Sequence, residues 1–386
     1  FFVKQKTAYE MLRSLVGSEM CIRDRGSVTL LTKLAAANEG RTQELARRAL
    51  NRLRGPNINA ALADRMQNAP APPERVEAAR ALGERFASDT TPALLAAAVD
   101  RAPEVRVAAL DALATVAPQD ALPQLVAGIV AAQDNATRNA AENAAMVVGL
   151  RAEKNGGRAK PLLAAFASAD TGAEAKAALL RVLGQIGDEA AMPAVLNAAG
   201  SGDGGEVRAT ALRVLSDWPG AAPMDTLLGF ARNASNETDR IIALRGYVRM
   251  VAMPSDRDAQ QTLALYREVC ALAKTAEEKK LVLSGLAKMG HPDALEVIRP
   301  YLEDNEVKEE AKLAAEAIQG ATYQTSASVA SDASANAIDN DIETRWDTGV
   351  QQQPGQWFML DLGWTGNVAR IILDASKSPQ DYPRGY

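Results

Sequence analysis

Residues 103–116 read PEVRVAALDALATV. Their apolar positions Val105, Ala108, Ala109, Ala112, Leu113 and Val116 fall at i, i+3, i+4, i+7 and i+8, the stripe of a helix with one buried face. Blocks of the same form recur along the chain: Glu74-Arg75-Val76, Glu104-Val105-Arg106, Glu206-Val207-Arg208 and Asp239-Arg240-Ile241, each followed by alanines and leucines. The steps from Leu50 to Leu82, Leu180 to Leu212 and Leu212 to Leu244 are each 32 residues. From Leu244 to Leu283 the step is 39, which predicts a longer first helix or loop there. A shorter apolar segment precedes each block, at 92–99, 121–131, 161–166, 190–199, 223–231 and 294–302. Prolines near these starts suit a first helical turn, where a missing N–H costs nothing. Gly55, Gly184, Gly187, Gly290 and Gly320 are expected where helices end. The pattern predicts about nine helix–turn–helix units between residues 26 and 319, an all-α solenoid.

Composition supports a thin, continuous core. Of 386 residues 76 are alanine, about a fifth, and only 17 are aromatic. A helix pair this rich in alanine buries too little surface alone, but stacked pairs approach closely while Leu, Ile and Val fill the seam. Net charge is −5, ordinary for a soluble chain and without the footprint of a nucleic-acid surface. No apolar run approaches the length of a membrane span. One histidine, His291, and two cysteines, Cys21 and Cys270, exclude haem attachment through Cys-x-x-Cys-His, zinc knuckles and a disulfide framework. His291, between Gly290 and Pro292, is expected to be a turn residue, and Cys270 a small buried one. Residues 200–205 satisfy G-x-G-x-x-G, but they follow a helical segment where a dinucleotide fingerprint needs a strand.

The repeated blocks, acidic–apolar–Arg followed by A-x-x-A-L, resemble HEAT repeats, particularly the short kind found in phycobilisome lyases. The resemblance implies a superhelix that holds a protein partner on the concave face of its second helices. Arg106, Arg208 and Arg240 are expected to bridge neighbouring repeats through the preceding acidic residue; a ladder for anions is the sharper alternative. A lyase activity lacks a plausible cysteine or histidine to carry it. Residues 1–25, FFVKQKTAYEMLRSLVGSEMCIRDR, share neither the alanine richness nor the period, and they resemble translated read-through of a sequencing adapter. On that reading Cys21 is not native and the true N-terminus, with any signal peptide, lies upstream.

At about residue 320 the composition changes. Residues 320–386 hold seven aromatics, as many as residues 26–319. Residues 322–335 read as a connector entering a first strand, and 357–363 and 368–374 as strands. Alternation puts Trp357, Met359 and Asp361 on one strand face and Phe358, Leu360 and Leu362 on the other, both partly covered as in a sandwich. The ordered motifs Asn336-Ala337-Ile338-Asp339-Asn340-Asp341, Thr344-Arg345-Trp346, Pro354-Gly355-Gln356-Trp357-Phe358 and Leu360-Asp361-Leu362-Gly363 resemble the first half of a discoidin domain, also called coagulation-factor-5/8 type C. Family-32 carbohydrate-binding modules are close relatives of that domain. The resemblance implies the first half of an all-β, galactose-binding-like jelly-roll sandwich, cut at Tyr386.

It also implies a structural Ca²⁺ held by Asn336, Asp339, Asp341 and Thr344, oxygen donors of the kind a hard cation takes. An Asx-rich turn without an ion is the alternative. Trp346, Arg384 and Tyr386 are candidate carbohydrate contacts, although Trp346 and Trp357 also suit the core. The sum is a non-catalytic scaffold, periplasmic or extracellular, binding protein through the array and glycan through the completed sandwich. The alternative is the accessory and targeting region of a larger secreted bacterial redox enzyme, of c-type haem or sugar-dehydrogenase kind.

Overall fold

The structure, a computed structural model, describes residues 25–151, 157–201, 205–322, 324–329, 331–338, 346 and 353–361. Among these are eighteen α-helices and two short strands. The chain divides into two compact units, the second beginning at Met224.

In the first unit the helices are α1 (Arg25–Ala37), α2 (Arg41–Arg52), α3 (Ile58–Asn68), α4 (Pro72–Glu84), α5 (Thr91–Ala97), α6 (Pro103–Val116), α7 (Leu122–Ala131), α8 (Asn135–Arg151), α9 (Lys160–Ala167), α10 (Ala173–Ile186), α11 (Met192–Gly200) and α12 (Glu206–Ser216). Odd and even members pack as pairs, and the even, second helices α2, α4, α6, α8, α10 and α12 also pack each on the next. This two-way packing is the solenoid read from the periodicity. In α6 the buried set is Val105, Ala109, Leu110, Ala112, Leu113, Ala114 and Val116. Ala108, expected in the stripe, is only half-buried. The apolar arc is broader because α6 is flanked by α4, α5 and α8 together.

Half of these twelve helices start by one device. Helices α4, α5, α6, α7, α9 and α11 carry proline in their first turn and have no side-chain cap. The preset φ of proline supplies the first turn without a donor to satisfy. Close approach then depends on small residues. A Cβ on Gly83 of α4 would meet the Ala112 Cα of α6 at 3.1 Å, and one on Gly184 of α10 would meet Val214 Cγ1 of α12 at 2.5 Å. Gly184 therefore sits inside a helix as a packing notch and not at a helix end, as its sequence context suggested. Gly187 does end α10, at φ 61°.

The second unit holds α13 (Met224–Asn233), α14 (Glu237–Val251), α15 (Ala259–Leu272), α16 (Ala276–Met289), α17 (Ala294–Ile298) and α18 (Lys308–Thr322). Again the helices pair in order, and α14 packs on α16 and α16 on α18. A 3₁₀ turn, Arg299–Glu303, continues the short α17, and α18 runs two residues past Gly320. Here side chains begin the helices. Asp258 and Thr275 each form a reciprocal capping box, with Gln261 and Glu278, and the Asn236 side chain accepts from Thr238 N. Tyr247 and Tyr266 are fully buried, the latter lying over Gly285.

Strands β1 (Gln324–Ala327) and β2 (Phe358–Asp361) pair antiparallel, with Thr325 opposite Leu360 and Ala327 opposite Phe358. β2 falls within the strand expected at 357–363. Its faces are less covered than alternation suggested: Met359 is 52% and Leu360 40% exposed. Among the described residues β2 has β1 as its one strand partner, so a single pairing covers an edge and leaves the faces open. The strand expected at 368–374 and residues 1–24 lie outside the described residues.

Candidate protein-binding surface

Successive second helices of the first unit present one side chain in a constant register, immediately before a small–apolar step: Arg48-Ala49-Leu50, Arg80-Ala81-Leu82, Asp111-Ala112-Leu113, Asn143-Ala144-Ala145, Arg181-Val182-Leu183 and Arg213-Val214-Leu215. Arg48, Arg80, Asp111, Asn143 and Arg213 are exposed, while the residues after them are buried. In the second unit Arg245 and Ser284 stand exposed in the same register on α14 and α16. In the sequence the column is overshadowed by the arginines that open each block. Its signal is the residue before each buried small–apolar pair.

Beneath the column, charges are satisfied within the fold. Arg47 of α2 grips Glu77 of α4 through both oxygens, Nε–Oε2 at 2.7 Å and Nη2–Oε1 at 2.5 Å. Arg181 of α10 holds Glu142 of α8 in the same fork, at 2.9 and 2.7 Å. At the starts of the second helices a further series links each repeat to the next. Arg75 reaches Asp100 at 2.8 Å, Arg106 reaches Asp134 at 2.6 Å and Arg138 reaches Glu174 at 2.8 Å. In the second unit Arg240 meets Glu278 at 2.6 Å and Lys279 meets Asp304 at 2.7 Å.

Arg106 and Arg240 are thus bridges between repeats, as expected. The acid across the bridge is not the preceding one, however: Arg240 meets Glu278, and Arg106 follows suit. Glu104 is exposed, and Asp134, just before the next helix, takes the arginine. Asp134 also accepts from the Thr137 amide and hydroxyl, at 2.8 Å each. These bonds, and then Arg106, hold its carboxyl down at about 2. Glu278 is buried, which works against its charge. The Lys274 and Thr275 amides and Arg240 outweigh that burial and keep the carboxyl below its usual range.

A second arginine series was not foreseen. Arg85 donates to the carbonyls of Leu50, Asn51 and Leu53 at the end of α2, Arg151 to Ala114 and Thr115 at the end of α6, and Arg158 to Ile186 at the end of α10. Arg257 does the same for Met250 and Val251 of α14. Each cation meets orphan carbonyls at the negative end of a helix dipole. Arg85, Arg151 and Arg158 look solvent-facing in sequence because the carbonyls they serve lie 28 to 37 residues away; Arg257 reaches back only 6 to 7.

The remaining candidates separate. His291 Nδ1 accepts from the Asp293 amide at 3.3 Å, as a turn residue does. Burial pushes the Cys270 thiol up, away from the reactive thiolate. Residues 200–205 follow α11, a helix. Asn336 closes a 3₁₀ segment, Ser331–Ala337, and is half-buried. Trp346 lies 4.7 Å, centroid to centroid, from the Phe358 ring at a 47° tilt, while Trp357 is 51% exposed. Asp339, Asp341, Thr344, Arg384 and Tyr386 lie outside the described residues. Among the described residues no cluster of acidic, histidine and cysteine side chains is arranged to hold a metal, and no helix is long and apolar enough to cross a membrane.

Two stretches, 59–146 and 159–247, match the family model of HEAT repeats. Over these two stretches the helices follow the HEAT repeat. No curated protein matches the chain. Among solved structures, the Escherichia coli protein YibA aligns at 14% identity over 72% of this chain and 97% of its own, with a TM-score of 0.41. Kap121p aligns at 13% identity over 83% of this chain and 39% of its own, with a TM-score of 0.47. A chain from the complex of CpcE and CpcF of phycocyanin lyase from Nostoc sp. PCC7120 aligns at 20% identity over 62% and 94%, with a TM-score of 0.29.

Proposed function

We propose that the chain is a scaffold that binds protein partners along the second-helix face of its HEAT repeats. The observation that carries this reading is the exposed column of Arg48, Arg80, Asp111, Asn143 and Arg213 beside forked ion pairs that are already satisfied. Those pairs join the second helices, and the exposed side chains, of which Arg48 makes only a long contact with Glu44, are left for an external partner. Its mixed charge suits a polar protein surface and not a uniformly charged polymer. The test is affinity capture by the full chain and by the triple variant Arg80→Glu, Asp111→Lys, Arg213→Glu. A matched charge reversal on the first helices serves as control. The reading expects a defined set of proteins to be lost from the triple variant and kept by the control. Equal capture by all three chains overturns it.

For residues 320–386 the proposal is the first half of a discoidin domain in a periplasmic or extracellular protein, with glycan contacts at Trp346, Arg384 and Tyr386. The antiparallel pairing of 324–327 with 358–361 supports a sandwich start. Ca²⁺ is proposed at Asn336, Asp339, Asp341 and Thr344. Calorimetric titration with Ca²⁺ checks it. Weak binding abolished by Asp339→Asn is expected, and identical heats from both chains contradict it.

A further inference from the structure

Phe86 stands in a conformation that its own chain does not reward. It follows α4 with φ 53°, the one non-glycine positive φ among the described residues. The Phe86 amide donates to Gly83 O at 3.0 Å and the Ala87 amide to Leu82 O at 3.1 Å. This is the Schellman pattern, whose left-handed residue is usually glycine. At the ends of α10 and α16 that residue is Gly187 and Gly290, each at φ 61°. Phe86 accepts the strain of a Cβ there and then leaves its ring 74% exposed. Strain that persists without burial points outward, to a contact with another molecule.

The same α2–α4 pair carries a receptor for such a ring. A shallow, mostly charged groove of about 190 Å³ opens between α2 and α4, with Arg48, Arg80, Glu44 and Glu84 exposed along it. A cavity of about 150 Å³ accommodates benzene, and guanidinium planes at the rim suit an aromatic face. Two exposed cations and two exposed anions make the rim neutral and complementary to itself. The rim pair Arg48–Glu44 is long, 3.7 Å, and solvent-exposed, so it yields readily to a new partner. Glu84, on the rim, is two residues from Phe86. A projecting ring and a self-complementary set of charges are parts that a twofold contact requires.

We propose that a second copy of this chain occupies the α2–α4 groove, each copy inserting Phe86 between Arg48 and Arg80 of the other. Two rings bury on the order of 300–500 Å², so the dimer is a weak one, formed at micromolar concentration and above. It shares Arg48 and Arg80 with the column proposed for a protein partner, so dimer and partner compete for that end of the face, but it does not depend on that reading.

Sedimentation velocity of the full chain over roughly a hundredfold range of concentration tests the proposal. The expected result is a monomer–dimer equilibrium. Phe86→Gly is expected to weaken it at least about tenfold while raising Tm, since glycine takes this φ freely. The charge pairs give a second arm. Glu44→Arg with Glu84→Arg, which keeps both arginines that hold the ring, is expected to stay monomeric. A wild type monomeric throughout, a Phe86→Gly variant that dimerises unchanged or loses Tm, or a Glu44→Arg/Glu84→Arg chain that dimerises like the wild type overturns it.

Discussion

The two units solve one architectural problem with different chemistry. In the first, six helices start on proline with no side-chain cap, and the forked ion pairs between second helices use arginine. In the second, α14, α15 and α16 start on Asn236, Asp258 and Thr275 caps, and lysines join the bridging set. Proline acts chiefly by restricting the unfolded chain, whereas a cap adds hydrogen bonds to the folded one. Packing differs likewise. In the first unit Gly83 lets α4 approach α6, and in the second Gly285 makes room for a buried tyrosine. A HEAT repeat therefore constrains where its helices meet more tightly than which side chains start them.

The largest expected effect lies in the second unit. Arg240 and Glu278 are 6% and 3% exposed, and Glu278 also completes the cap of α16. Glu278→Ala removes the near carboxylate of a buried cation, leaving it the exposed Glu237 at 3.9 Å, and is expected to cost about 3–5 kcal/mol, read as a lowered urea midpoint. Asp134→Ala, which breaks a more exposed pair in the first unit, is expected to cost clearly less. Equal costs would mean that the two units rely on their rungs alike.

Next come the notches. Gly184→Ala and Gly285→Ala would place a Cβ 2.5 Å from Val214 Cγ1 and 2.6 Å from Tyr266 Oη. Each is expected to destabilise by about 1–3 kcal/mol, against a helix-propensity gain of up to about 1 kcal/mol. Gly229→Ala, within α13 and with nothing inside 4 Å, is expected to stabilise by up to about 1 kcal/mol. Thermal melts of the three variants give the signs directly.

Much of the array was legible because its period repeats. The first-helix segment expected at 121–131 is α7 at 122–131, and the one at 161–166 is α9 at 160–167. The 39-residue step between Leu244 and Leu283 corresponds to the long α15 and the connection before it. What stayed hidden depends on contacts between repeats. Gly184 reads as a stop signal until Val214 is placed against it. Arg85 reads as a surface charge until the carbonyls of α2 are beside it. The exposed column needed a register that follows burial, and burial is a property of the stack.

A smaller effect separates the two capping styles. Thr275→Ala is expected to cost about 1 kcal/mol, with the loss confined to the second unit in hydrogen exchange. The smallest is a pH dependence. The Asp134 carboxyl is held at about 2 when folded, against about 3.9 when unfolded. Its stabilisation is complete above the unfolded value and is lost as pH falls from about 4 towards 2. Asp134→Asn is expected to flatten that part of the Tm–pH curve, while a curve unchanged in shape would mean the carboxyl titrates normally.

The most direct test of the second-helix face is hydroxyl-radical footprinting of the full chain with and without a captured partner. The account expects protection of Arg80, Met146 and Arg213 on α4, α8 and α12, with Val130 and Phe166 on first helices α7 and α9 unchanged. Protection confined to Val130 and Phe166 would contradict it and move the binding surface to the first helices.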